Sequence, residues 1–215
     1  MPSPPEQHAI NFRFIYENGV WGNNGDKHYK GSSGDGSKIE NAIHYVCFIR
    51  GWLLGSRTTS VVDAGCGDLR HFYPLYSNTE IDYTGYDIYP EVIKAHTLEP
   101  QYKNDLWHFE TKNCYMERDT MKSADVLILK DVLQHWTDEE VIDFMDWATT
   151  CGKYKELLIT NSPGDIHNSL DTPGRWRGLD ENHTLLKPYN LKKVFQYSYP
   201  AFKTTKVVLH WRSQE

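Results

Sequence analysis

The stretch Val61-Val-Asp-Ala-Gly-Cys-Gly-Asp-Leu-Arg70 constrains this chain more than any other. The β-branched pair Val61 and Val62 reads as a buried strand, and Asp63 stands at its end. Gly65 and Gly67 then make a turn tight enough to bring backbone N–H groups against a ligand. A glycine turn after a first parallel strand is the usual seat of a nucleotide-like ligand in an open α/β sheet. The stretch implies both a parallel sheet and a ligand, and leaves the ligand to be decided.

The rest of the chain supplies the sheet. Ile81 to Ile88 reads as a second strand ending at Asp87, Leu106 to Phe109 as a weak third and Ala124 to Lys130 as the clearest buried strand. Glu156 to Thr160 reads as a fifth. Helical patterns alternate with them. Ser37 and Glu40 form a Ser-x-x-Glu box before one helix, Pro90 opens another, and Thr137 with Glu140 forms a second box. Val194 to Tyr199 and Thr204 to Trp211 follow too closely on one another for a helical crossover, so they pair antiparallel. The expected class is α/β, a mostly parallel sheet with helices on both faces and a C-terminal antiparallel hairpin.

With 215 residues, one domain can bury a full core. A net charge of −6 argues against a phosphate-tracking surface, so nucleic acid is not an expected partner. Cys47, Cys66, Cys114 and Cys151 lie far apart, with neither zinc spacing nor a disulfide framework. No apolar run approaches the ~20 residues that span a bilayer, and no signal peptide is read. A cytoplasmic setting is the expectation. Residues 1–11 begin Met-Pro-Ser-Pro-Pro and read as loosely attached. Phe12 to Ser37 sets Tyr16, Trp21 and Tyr29 among Gly, Ser and Asn, and reads as an arm folding over a ligand rather than a linker. The division is thus an arm over 1–37 and a domain over 38–215.

A dinucleotide turn wants a third glycine, but Arg70 occupies that place. Asp63 and Asp68 flank the turn, and two carboxylates beside a pyrophosphate repel it. A cationic ligand without phosphate suits them better, and S-adenosylmethionine has an ammonium and a sulfonium. Asp87, at the end of the second strand, is placed to accept ribose hydroxyl protons.

On these residues the chain resembles the class I S-adenosylmethionine-dependent methyltransferases from about Ile39 to its C-terminus. Val61 to Gly67 looks like their first motif, Asp87 with Ile88 like the ribose site, and Asn113 with Cys114 like the adenine site. Lys130-Asp-Val-Leu-Gln-His135 looks like the motif beside the methionine moiety. The resemblance implies a Rossmann-like methyltransferase fold with a seven-stranded sheet. The arm around Trp21 and Gly31 to Ser37, with Gly174 to Asp180, is similar to segments of small methyltransferases associated with glycan synthesis. The implied cofactor contacts are Trp21, Ser37, Asp63, Gly65, Cys66, Gly67, Asp87, Ile88, Asn113, Cys114, Lys130 and Asp131. Cys66 itself reads as a small packing residue.

The expected function is O-methylation of a hydroxyl on a sugar or glycan. An N-methyltransferase of a small molecule or protein and a non-catalytic cofactor-binding module are the alternatives. A sugar hydroxyl profits from a general base near neutrality. His135 reads either as that base or as a histidine preceding the Thr137 helix. Asp165 and His167 read as a turn with a capping aspartate, or as a base with its orienting carboxylate. No spacing of three or four ligands favours a metal. Arg175, Trp176 and Arg177 read as a clamp and stacking surface for the acceptor, or, for the arginines, as solvated surface.

Overall fold

The computed structural model describes residues 4–23, 25, 28–199 and 204–214. A seven-stranded sheet carries the fold. Its strands are β1 (Ser60–Ala64), β2 (Asp82–Asp87), β3 (Trp107–Thr111), β4 (Ala124–Lys130), β5 (Tyr154–Asn161), β6 (Lys192–Tyr199) and β7 (Thr204–Arg212), in the order β3-β2-β1-β4-β5-β7-β6. The first five pair in parallel, and β7 pairs antiparallel with both β5 and β6. The order reverses between β1 and β4, and ligands bind outside the carboxyl ends of strands at such a switch point.

The helices are α1 (Pro4–Asn18), α2 (Ile39–Gly55), α3 (Phe72–Tyr76), α4 (Pro90–Leu98) and α5 (Asp138–Thr150). Strand residues alternate between two cores, as a period of two requires. Val61, Ile128, Leu158 and Val208 pack with α2 and α3 on one face, whereas Val62, Leu127, Ile159 and Leu209 pack with α5 on the other. Among the described residues, no helix is long and apolar enough to cross a membrane.

Of the two capping boxes, one forms. The Thr137 hydroxyl accepts the Glu140 N–H at 3.2 Å, and the Glu140 carboxylate accepts the Thr137 N–H at 2.8 Å. The other does not: Lys38 caps α2 without a side-chain bond, and the Ser37 hydroxyl donates to the Gly34 carbonyl at 2.8 Å instead. A short 3-10 turn over Asp35–Ser37 turns Ser37 back into the arm.

The expected loose N-terminus is also corrected. Residues 1–3 lie outside the described residues, but a helix begins at Pro4. Proline is tolerated in a first helical turn, where its missing N–H would have no partner. His8, Phe12, Ile15 and Tyr16 recur at helical spacing and turn toward the protein, with His8, Ile15 and Tyr16 buried. Gly19, at φ +61°, ends the helix, and the Val20 N–H reaches back to the Ile15 carbonyl at 2.9 Å.

Candidate active site

A cavity of about 900 Å³ opens over the carboxyl ends of β1, β2 and β4. Gly65 and Gly67, at φ +83° and +61°, form its floor. A Cβ on Gly65 would sit 2.6 Å from a Val132 methyl, and one on Gly67 would sit 2.4 Å from the Ser33 hydroxyl. Neither position has room for a side chain. The turn is held down by the Gly65 and Cys66 N–H groups, which both donate to the Tyr86 carbonyl.

Asp87 closes β2 with its carboxylate buried, accepting the Gly67 and Tyr89 N–H groups, each at 3.0 Å. Asp63 closes β1 and accepts the Tyr83 hydroxyl at 2.9 Å. Burial pushes both carboxyls up to about 6, against which these hydrogen bonds only partly act. Each therefore gains from a further donor or cation inside the cavity. That is the fit expected for a ligand presenting hydroxyls and positive charge. Every residue assigned above to the cofactor lines this one cavity, as do His135 and Trp176.

Asp68 is a correction. Its carboxylate does not face the cavity but accepts the Ser33 N–H at 3.0 Å and pairs with Arg70 at 3.1 Å. The Ser33 hydroxyl in turn accepts the Asp68 N–H at 2.8 Å and bonds the Tyr16 hydroxyl at 2.7 Å. Asp68 thus ties the segment before α2 to the glycine turn, and the preference for a cationic ligand rests on Asp63 and Asp87 without it.

On the far side of β1, Asp131 sits at φ +59° directly after β4. Its carboxylate takes the Lys130 ammonium at 2.9 Å and the Lys206 ammonium at 2.5 Å, which holds it far below the usual carboxylate range. Lys130 also donates to the Gly36 carbonyl at 2.9 Å.

His135 lies beside this network. Its Nδ1–H donates to the Arg175 carbonyl at 2.7 Å, and its Nε2 lies 3.3 Å from the Gln134 amide nitrogen. The Gln134 carbonyl oxygen accepts the Ser162 N–H at 3.1 Å, which turns the amide nitrogen toward His135. These contacts set the tautomer, leaving Nε2 as the acceptor. Desolvation lowers the imidazole to about 4, so it is neutral at neutral pH. The Trp21 ring lies over it with 4.8 Å between centroids.

The remaining assignments fall elsewhere. Asp165 and His167 are exposed in the loop after β5 and do not line the cavity; the Asp165 carboxylate accepts the His167 N–H at 2.9 Å, an Asx-type turn. Arg175 is exposed and contributes its carbonyl rather than its guanidinium. Arg177 is buried, paired with Asp138 and donating to the Trp136 carbonyl at 3.0 Å. Gly164 and Gly178 let two backbone segments cross there, with a Cβ on Gly164 only 2.6 Å from the Gly178 Cα. His8, Ser162 and Lys206 were not read from the sequence as lining residues, and Phe12 and Gln134 were read only as part of the arm and of the motif after β4. Of these, His8 and Phe12 carried a signal, the helical spacing within α1.

The strand order gives the chain the fold of the class I S-adenosylmethionine-dependent methyltransferases. Magnesium protoporphyrin IX methyltransferase from Synechocystis PCC 6803, solved with S-adenosylhomocysteine, superposes at a TM-score of 0.66 with 14% identity, over 95% of this chain and 99% of its own. The N-methyltransferase NodS from Bradyrhizobium japonicum WM9 gives 0.61 and 13%, over 80% of this chain and 87% of its own. The N-terminal domain of EvdMO1, solved in the presence of S-adenosylhomocysteine and D-fucose, gives 0.56 and 11%, over 100% and 98%. No family model matches the chain, and no curated protein matches it in sequence.

Proposed function

We propose that this protein is an S-adenosylmethionine-dependent O-methyltransferase whose acceptor is a hydroxyl on a sugar or glycan. The observation that carries the reading is the convergence of Asp63, the Gly65 to Gly67 turn, Asp87 and a neutral His135 on one cavity. Asp87 would hold the ribose hydroxyls, Asp63 the cationic end, and Asn113 with Cys114 the adenine. When bound, the cofactor supplies a methyl group already activated by its sulfonium. The protein's own part is to align a hydroxyl with that methyl and remove its proton. His135 Nε2, which faces the Gln134 amide N–H, takes that proton once the hydroxyl displaces the amide; burial makes it a weaker base than the near-neutral one expected, and the Arg175 carbonyl acts against that by favouring the imidazolium.

Phe12, Trp21 and Trp176 give the acceptor side aromatic walls, which suit the apolar faces of a sugar ring. One structural neighbour was determined with D-fucose present, which accords with this reading. Residues 1–37 are read as the arm that closes the cofactor site, in keeping with the Ser33–Asp68 tie. An amine acceptor is the second reading; a neutral amine attacks without a base and would not need His135.

Two measurements test the proposal. Asp87→Asn is expected to weaken S-adenosylmethionine binding about a hundredfold by calorimetry, from two hydrogen bonds to a charged acceptor; unchanged affinity would refute the ribose assignment. Labelled methyl transfer onto sugars, glycans, nucleotides and amines identifies the acceptor. His135→Ala is expected to abolish transfer to hydroxyls with cofactor affinity intact, and full activity in that variant removes His135 as the base.

A further inference from the structure

The glycine turn is held in part by a residue that does not line the cavity. Four successive N–H groups of the turn are used inside the protein. Those of Gly65 and Cys66 go to the Tyr86 carbonyl, that of Gly67 to Asp87 and that of Asp68 to the Ser33 hydroxyl. The Gly67 carbonyl belongs to the same peptide unit as the Asp68 N–H, and the His96 Nε2 lies 2.7 Å from its oxygen. A second donor, the Cys66 thiol, stands 4.0 Å from the same oxygen and is correspondingly weak.

His96 stands in the last turn of α4 and is buried, its ring 5.5 Å from that of Phe109 on β3 and 5.7 Å from that of Tyr102. A carbonyl oxygen only accepts, so Nε2 carries the ring proton and donates it. Gly67 itself does not fix the peptide plane that follows it. At φ +61° it occupies one of several conformations open to glycine at little cost. The plane is held instead by its two ends, the carbonyl by His96 on α4 and the N–H by Ser33 in the N-terminal segment. Released from either, the turn would spread over conformations of which only one gives the cavity its present floor. Apparent affinity for a ligand on that floor falls by the fraction of molecules that keep it.

We propose that His96 is a positioning residue of the cofactor site: its Nε2–H fixes the Gly67–Asp68 peptide, and with it the floor under the cofactor, without touching the ligand. This rests on the cofactor reading above. It adds α4 to the elements that set cofactor affinity, alongside the strand ends and the N-terminal segment.

The test compares His96→Gln with His96→Asn in the intact protein, with S-adenosylhomocysteine as the probe and calorimetry as the readout. A glutamine places its amide nitrogen near the position of Nε2, and an asparagine near that of Nδ1, so only the first can still reach the Gly67 carbonyl. His96→Gln is expected to bind within about twofold of the wild type, and His96→Asn about tenfold more weakly through loss of the hydrogen bond. Thr137→Ala, which loses the cap on α5, serves as the control for lowered stability alone and is expected to bind as the wild type does. The imidazole nitrogen resonances of the wild-type protein at neutral pH give a readout free of any ligand, and His96 is expected to carry its proton on Nε2. A proton on Nδ1 alone, His96→Asn binding as the wild type, or equal loss in both variants overturns the proposal. Wild-type protein that binds no S-adenosylhomocysteine overturns the cofactor reading and this inference with it, a result distinct from binding that His96→Asn leaves unchanged.

Discussion

Gly67→Ala is the substitution whose consequence can be worked most fully from the structure. The residue has φ +61°, where an L side chain costs about 1–2 kcal/mol in its own backbone. The added methyl would stand 2.4 Å from the Ser33 hydroxyl and 3.0 Å from its Cβ, so Ser33 must withdraw. Three hydrogen bonds go with it: Asp68 N–H to the Ser33 hydroxyl, Ser33 N–H to the Asp68 carboxylate, and the contact with the Tyr16 hydroxyl. At about 1 kcal/mol each, partly recovered by water, the whole effect is roughly 2–5 kcal/mol. For a domain of this size that lowers Tm by roughly 5–15 °C.

A double-mutant cycle separates the two parts. Ser33→Gly removes both atoms that the methyl would strike, so the backbone strain at position 67 survives in the double variant while the collision does not. The coupling between the two substitutions is expected to be about 1–3 kcal/mol by thermal or denaturant unfolding. Strictly additive effects would show that Ser33 does not lie against the turn, and would refute the tie between the N-terminal segment and the glycine turn. S-adenosylmethionine affinity, measured on the same four proteins, is expected to fall with Gly67→Ala in both backgrounds.

Three further outcomes follow from the same geometry. Asp63 and Asp87 have carboxyls raised to about 6 by burial, so both are ionised at pH 7 and take up protons as pH falls through 6. Cofactor affinity by calorimetry is expected to fall by about tenfold per pH unit below that point for each carboxylate the ligand requires; an affinity flat between pH 7 and 5 would contradict their role. The same raised values mean that ionisation of these two groups opposes folding, so their contribution to the stability of the ligand-free protein improves as pH falls from above 6 toward 4. Thr137→Ala is expected to lower stability by about 1 kcal/mol through loss of the cap on α5, with cofactor affinity unchanged. Asp138→Ala leaves the buried Arg177 guanidinium without its carboxylate and is expected to cost about 3 kcal/mol or more, exceeding Arg177→Met, which leaves a carboxylate that is partly exposed. The reverse order would return Arg177 to a solvated role.

The sheet and the strand-end edge of the cavity were legible because local patterns there have few alternatives. Val61 and Val62 before a glycine turn, and the apolar run of β4, leave little choice of element, and strand ends in a doubly wound sheet bring Gly65, Asp87 and Lys130 to one edge whatever the loops do. The loops on the other side of the cavity have no such constraint. Asp165 and His167 follow a strand end as closely in sequence as His135 does, yet the loop after β5 carries them into solvent, while the Arg175 carbonyl and the Gln134 amide fix His135 at the cavity. Arg177, two positions from Arg175, is turned inward by Asp138 on another element.

Asp68 shows why composition near a motif is a weaker guide than the motif. A carboxylate beside a glycine turn looks the same in sequence whether it faces a ligand or another part of the chain. Here its partner is the Ser33 N–H, 35 positions earlier, and no local spacing encodes that distance. The N-terminal helix was hidden for a related reason: its prolines stand in the first turn, where they cost no hydrogen bond, so they signalled disorder while His8, Phe12, Ile15 and Tyr16 kept the helical period. Both errors concern the segment that approaches the glycine turn from outside the sheet. The cavity therefore has one wall set by the parallel strands and another, with Phe12 and Trp21, set by long-range contacts of the N-terminal segment such as the Ser33–Asp68 tie.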